Sequence, residues 1–329
     1  MHHVNSPYII AEIGSNHDGD FNRAKRLIHL AKEAGADAVK FQSFHADLLC
    51  NPLGLKEGRW VKDPSYPLLK SLELPLDWLP KLRDAVKDID FLSTPFDLAS
   101  LDALISLDVP FIKIASGDIT YRELLEKAAL SGKPIFLSTG HATLDEIERA
   151  LDWMSRADVI LLHCVSAYPC PIDRSNVLVI KTLQEHFSLP VGLSDHSPGH
   201  LVPILATALG ACVIEKHFTD DRNRTGPDHP FALNVDEFAK MVQSVREAKC
   251  ALGSGEKVPC FVEESERVMA RRAFYAARDL QAGIRLQRGD VKFVRHAFPG
   301  VCLDWDEVKE RVLLKDVKRD HPILRDCVR

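Results

Sequence analysis

Apolar positions along the chain fall into eight short runs, and each is followed by a longer stretch in which apolar residues recur every three to four positions. The runs are YIIAEIG from Tyr8, AVKFQSF from Ala38, DFLSTPF from Asp90, FIKIASG from Phe111, PIFLSTG from Pro134, VILLHCVS from Val159, PVGLSDH from Pro190 and CVIEKHF from Cys212. Nearly continuous apolar runs read as strands buried on both faces, and amphipathic stretches such as NRAKRLIHLAKEAGA and TLDEIERALDWMSRA read as the helices that cover a parallel sheet. The first of these stretches closes at Gly35, placed as a helix C-cap. Eight such units in about 250 residues predict a TIM (β/α)8 barrel. A doubly wound open sheet would carry fewer strands and a glycine-rich dinucleotide turn, and neither GxGxxG nor GxxxxGK[ST] occurs.

The rhythm changes after residue 252. LGSGEKVPCFVEESERVMARR is polar and broken by Gly and Pro, which predicts a linker over 253–269. AFYAARDLQAGIRLQRGDVKFVR then gives short strand-like pieces separated by QAG and QRG turns, so a small β-rich module is expected over 270–329.

Composition narrows the function classes. With 329 residues, 46% of them hydrophobic, the chain supports a large core plus a small second unit. The longest apolar stretch, Leu201 to Ile214, contains Pro and Gly and is too short to span a bilayer, while MHHVNSPYIIAEIG lacks the succession of a signal peptide; a cytoplasmic protein without membrane contact is expected. Eight cysteines without CxxC spacing read as reduced thiols rather than a disulfide frame or a zinc cluster. The net charge of −5 is uneven, since fourteen Lys and Arg face nine Asp and Glu from Ala270 onward. No aromatic-interleaved or RGG-like pattern accompanies that basic tail, so nucleic acid is not an expected partner.

Polar residues come last in every run: Glu12, Asn16 and His17; Lys40 and Gln42; Ser93 and Thr94; Lys113, Ser116 and Asp118; Ser138 and Thr139; His163, Ser166 and Tyr168; Ser194, Asp195 and His196; Glu215, Lys216 and His217. Barrel enzymes build their sites at the carboxyl ends of the strands, so eight strands in agreement predict one polar site ringed by the barrel mouth.

The succession IIAEIGSNHDGD, AGADAVKFQSF, LSTPFD, KIASGDI, PIFLSTG, LLHCVSAYPCP, GLSDHSPG and EKHFTDDRNRTGPDH, followed by the FYAARDLQAG…LQRGDVKFVR tail, resembles the sialic acid synthase family over nearly the whole chain. The resemblance implies a TIM barrel followed by an antifreeze-protein-like (SAF) domain. It implies condensation of phosphoenolpyruvate with an N-acetylmannosamine-type amino sugar to a nine-carbon 3-deoxy-keto acid and phosphate. A divalent metal, commonly Mn2+ with Mg2+ or Co2+ as alternatives, and a domain-swapped homodimer follow from it as well.

Carried over residue by residue, Lys40, Lys113, Ser116, Ser138, Ser166 and Ser194 match the phosphoenolpyruvate positions. A phosphate and a carboxylate need cations and convergent hydroxyl donors of this kind. His196 and His217 match the two metal ligands, whose cation would polarise the sugar aldehyde. Glu12 and Asp118 match sugar-facing acids, and Gln42, Tyr168 and Asp228 fall on the sugar side. Arg295 falls on a substrate-reaching arginine of the tail. Three departures stand out: Asp118 replaces a longer glutamate of the N-acetylneuraminate synthases, Val165 and Ser166 replace Thr and Asn of some members, and Arg295 is followed by HAFPG where RP is usual.

Two further readings belong to other classes. Another metal-dependent barrel hydrolase or aldolase would show HxH after the first strand or a Schiff-base lysine without phosphate-binding serines; neither pattern is present, although Lys40 and Lys113 are chemically competent to form imines. A catalytically silent sugar-binding protein would have shed some of the cations, serines, histidines and acids that remain here.

Overall fold

A computed structural model of the chain describes residues 6–155 and 157–329. Met1–Asn5, part of the segment read for a signal peptide, and Arg156, near the end of the TLDEIERALDWMSRA pattern, lie outside the described residues. The chain divides into two compact units, Met1–Gly253 and Ser254–Arg329.

In the first unit all eight predicted runs are strands: β1 Tyr8–Gly14, β2 Ala38–Ser43, β3 Asp90–Pro95, β4 Ile112–Ile114, β5 Ile135–Ser138, β6 Val159–Cys164, β7 Val191–Asp195 and β8 Val213–His217. Every ladder among these eight is parallel, in the order β3-β2-β1-β8-β7-β6-β5-β4. The end strands β3 and β4 lie against each other without a ladder, which nearly closes a TIM-like barrel. Helices follow the strands. Phe21–Glu33 is capped by the Asp20 side chain at its start, and Leu144–Trp153 begins with a capping box between Thr143 and Glu146. Gly35 takes φ +90° just past the first of these helices, as the sequence expects. An antiparallel hairpin, Leu53–Lys56 with Arg59–Lys62, interrupts the second βα connection and was not predicted.

Alternation along the pleat sorts each strand into two faces. Ile9, Ala11, Ile13, Val39, Phe41, Phe91, Ile112, Leu137, Leu161, Leu193 and Ile214 point outward into the helix layer and form the main core. Ile10, Ala38, Leu92, Phe136, Leu162 and Val213 point inward and form a separate apolar plug. Each Val, Leu, Ile and Phe among them contributes roughly 1.5–3 kcal/mol by leaving water. At Gly192 the plug leaves no room: a Cβ there would lie 2.7 Å from both Leu162 Cδ2 and Val213 Cβ.

The second unit pairs β9, Arg272–Ala276, antiparallel with β10, Val291–Arg295. Phe274, Leu280, Leu286, Cys302, Val308, Leu313 and Ile323 make its small core. The stretch expected as a linker carries a short helix, Glu264–Ala270. All eight cysteines are free. No helix among the described residues is long and apolar enough to cross a membrane.

Candidate active site

Two residues beyond each member of the apolar plug, the same inward register turns polar. Ile10, Ala38, Leu92, Phe136, Leu162 and Val213 are followed by Glu12, Lys40, Thr94, Ser138, Cys164 and Glu215, while Phe111 and Gly192 are followed by Lys113 and Ser194. All eight line one cavity of about 460 Å3. Two residues further on, the next layer supplies Gln42, Phe96, Ala115, Ser166, His196 and His217 to the same cavity. Ser116, Gly117, His141, Tyr168 and Asp228 complete much of the rim. Of the fourteen residues singled out from sequence, twelve line this space. Asp118 does not, and Arg295 belongs to the second unit. Asp118 lies in the tight turn Ser116–Thr120, with Oδ2 buried and unpartnered. Arg295 is exposed in the second unit, opposite Arg272 across the hairpin.

The charged floor centres on Lys40. Its ammonium lies 2.6 Å from Glu12 Oε2 and 3.7 Å from Glu215 Oε2, and donates to Thr94 Oγ1 at 2.9 Å. Gln42 Nε2 donates to Glu12 Oε1 at 2.9 Å. Lys113 sits 3.9 Å from Glu215 Oε1, and Ser194 donates to that oxygen at 3.0 Å. The two glutamates part company here. Burial pushes Glu12 up to about 7 in spite of Lys40, whereas Lys113 and Lys40 together outweigh the burial of Glu215 and hold it below the usual range. Two acids with opposed shifts give one firm counter-ion and one group able to exchange a proton near neutrality.

Serines and one glycine form the far wall. Gly140 N donates to Ser116 Oγ at 2.9 Å, and Ser138 Oγ is buried without a partner. A Cβ on Gly140 would fall on Ser166 Oγ and within 2.8 Å of Ser116 Oγ, so only glycine leaves these hydroxyls free to converge.

The imidazoles of His196 and His217 stand 5.3 Å apart between ring centroids. His196 Nδ1 donates to the Val165 carbonyl at 3.0 Å, which leaves Nε2 with the lone pair. Burial lowers the basicity of both rings and keeps them neutral at pH 7, His217 most strongly. His217 Nδ1 is buried with no hydrogen-bond partner and lies 3.9 Å from Asp228 Oδ2. Tyr168 packs on His196 at 4.3 Å and Phe231 on His217 at 4.8 Å. Asp228 accepts from Ser15 Oγ at 3.0 Å, and burial raises its carboxyl. Its neighbour His229 is fully buried between Asp18 and Thr219, which anchors the loop that carries Asp228. No cluster of three or more His, Cys, Asp or Glu side chains suited to a metal occurs among the described residues. Two neutral imidazoles, one with an orphaned nitrogen, nonetheless fit a divalent cation that keeps open positions.

Residues 27–257 match the model of the NeuB family. The chain belongs to that family. Residues 271–329 match the SAF domain, the second module expected from the tail. The chain is similar to the N,N'-diacetyllegionaminic acid synthase of Legionella pneumophila, with 42% identity over 321 residues that cover 93% of this chain and 89% of the relative. It is also 38% identical to the pseudaminic acid synthase of Helicobacter pylori, over 98% of each chain. Among solved structures, the N-acetylneuraminic acid (sialic acid) synthetase of Leptospira borgpetersenii is 38% identical with a TM-score of 0.73, covering 80% of this chain and 90% of that one. Family membership thus agrees with the barrel-plus-SAF architecture.

Glu215, named among the polar strand ends, is the main cavity residue to which sequence reasoning gave no role. It shares the inward register of His217 two positions on, and period-2 counting from the histidine would have found it. Thr94, Phe96 and Cys164 follow from the same count.

Proposed function

We propose that the protein is a nonulosonic acid synthase that condenses phosphoenolpyruvate with the open-chain aldehyde of an amino sugar. C3 of phosphoenolpyruvate bonds to the aldehyde carbon, water adds its oxygen at C2, and the C2–O bond breaks to release phosphate. The observation that carries this reading is the pair of stacked inward layers, which together with Ser116 on the rim gather two lysines, four serines and two neutral histidines around one cavity. Lys40 and Lys113 hold the phosphate and carboxylate, while Ser116, Ser138, Ser166 and Ser194 are matched to phosphate and carboxylate oxygens. Glu12, balanced near neutrality, moves a proton at the sugar oxygen. A divalent cation, Mn2+ in this reading, would be held by His196 and His217 and would polarise the aldehyde as a Lewis acid. Gln42, Tyr168 and Asp228 orient the sugar, and the buried wall keeps competing water out.

The similarity to synthases named for diacetyllegionaminic and pseudaminic acids favours a diacetamido-trideoxy hexose as the sugar. The proposal includes a homodimer in which Arg295 serves a partner barrel, as the family resemblance implies. Incubation with phosphoenolpyruvate and a panel of amino sugars, with products read by mass, tests the substrate assignment. Preference for plain N-acetylmannosamine by a large factor in kcat/KM would remove the diacetamido assignment and leave the condensation standing.

A further inference from the structure

Lys216 stands between two cavity residues, Glu215 and His217, yet faces away from them. The pleat sends its side chain to the outer side of β8, the side on which Ile214 and Phe218 pack into the main core. There it is 1% exposed. Its ammonium lies 2.5 Å from Asp195 Oδ2 and also donates to the Ser197 carbonyl. Asp195 in turn accepts from the Ser197 amide at 2.9 Å and from its hydroxyl at 3.0 Å. The two residues gripped in this way are the immediate neighbours of His196.

Burial of an ammonium carries a penalty of several kcal/mol, and a well-packed apolar pair is often as stable as a buried ion pair. Apolar side chains fill the adjacent outward positions of this strand, so packing alone does not call for a lysine here. What an apolar residue cannot do is fix β8 to both flanks of a turn on β7. The ammonium does so directly, with its backbone only one residue from His217 and its two partners only one residue from His196. The His196 carbonyl, which accepts from Cys170 N at 2.9 Å, adds a third tether to the same turn.

We propose that Lys216 is a positioning residue that sets the separation and orientation of the His196 and His217 imidazoles for the divalent cation, an inference that rests on the metal reading above. Mn2+ binding, followed by the electron paramagnetic resonance of the free ion without substrates, tests it in the full-length chain. The proteins compared are the unaltered chain, Lys216→Met, Lys216→Arg and Asp195→Asn/Lys216→Met. The double variant leaves no unpaired buried charge and guards against simple failure to fold. Groups that orient metal ligands typically change affinity by about 10–100-fold. A loss of that size is expected for Lys216→Met and for the double variant, with partial recovery in Lys216→Arg and phosphate affinity within about twofold of the unaltered chain. A folded double variant that binds Mn2+ as tightly as the unaltered chain would overturn the proposal. If neither Met variant folds, Lys216→Arg decides, and unchanged Mn2+ affinity there overturns it too. Failure of the unaltered chain to take up Mn2+ would instead remove the metal reading, a result distinct from equal uptake by all the proteins.

Discussion

Asp118→Asn separates a stability role from a substrate role. The Asp118 carboxyl has a buried, unpartnered Oδ2, and burial pushes it from the ordinary 3.8 up to about 7, with only the charge of Lys113 opposing. Because its folded value is raised, the native state holds a proton that the unfolded chain has already released between about pH 4 and pH 7. Stability therefore falls as pH rises through that window. At about 1.4 kcal/mol for each pH unit the full effect is about 4 kcal/mol, and partial access to water brings it to about 2–4. Asparagine removes this term. Any penalty from burying its amide is independent of pH, so the diagnostic is the change in the difference between the two proteins. Thermal unfolding midpoints at pH 4.5 and pH 8.5 provide the assay. The variant should gain on the parent by about 4–8 °C between those two values, at about 2 °C per kcal/mol for a unit of this size. An offset that stays constant with pH would refute the account of a desolvated, titrating carboxyl.

Glu12→Gln should flatten the pH dependence of the KM for phosphoenolpyruvate: below about pH 7 the parent is protonated at Glu12 and binds the anion better, above it KM rises, and in the variant a steady-state profile should lack that rise. A rise that persists in Glu12→Gln assigns it to another group. Gly140→Ala should weaken inorganic phosphate binding by roughly tenfold or more in calorimetry, because its Cβ would displace Ser116 and Ser166, and equal affinity would show that these hydroxyls do not converge on phosphate. His196→Ala and Arg295→Ala chains should each be inactive alone and regain part of the activity after subunit exchange. No recovery would mean that Arg295 does not act on a partner barrel.

Eight strands were legible because a strand buried on both faces has to be apolar nearly throughout, and the inward register turns polar only where the barrel opens. Lys40, Lys113, Ser138, Ser194, His196 and His217 could be placed at the mouth for that reason. Glu215 was not separated from Lys216, because the triplet EKH reads as a polar strand end until the pleat is applied. That alternation sends Glu215 to the shared lysines and Lys216 to Asp195 on the opposite face. Asp118, expected at the mouth, does not line the cavity for a related reason. It lies beyond Ile114, where the strand has given way to a tight turn and the count of two no longer says where a side chain points. The hairpin at 53–62 escaped because its strands are largely exposed and carry no buried alternation.

The central claim is most directly tested with phosphoenolpyruvate labelled with 18O at the oxygen that bridges carbon and phosphorus. In the presence of Mn2+ and the amino sugar, phosphate should be released only when the sugar is present, should retain the label, and should match a nine-carbon keto acid mole for mole in the mass spectrum. Phosphate released without sugar, or phosphate that has lost the label, would contradict condensation through C–O cleavage and point instead to a hydrolase on the same barrel.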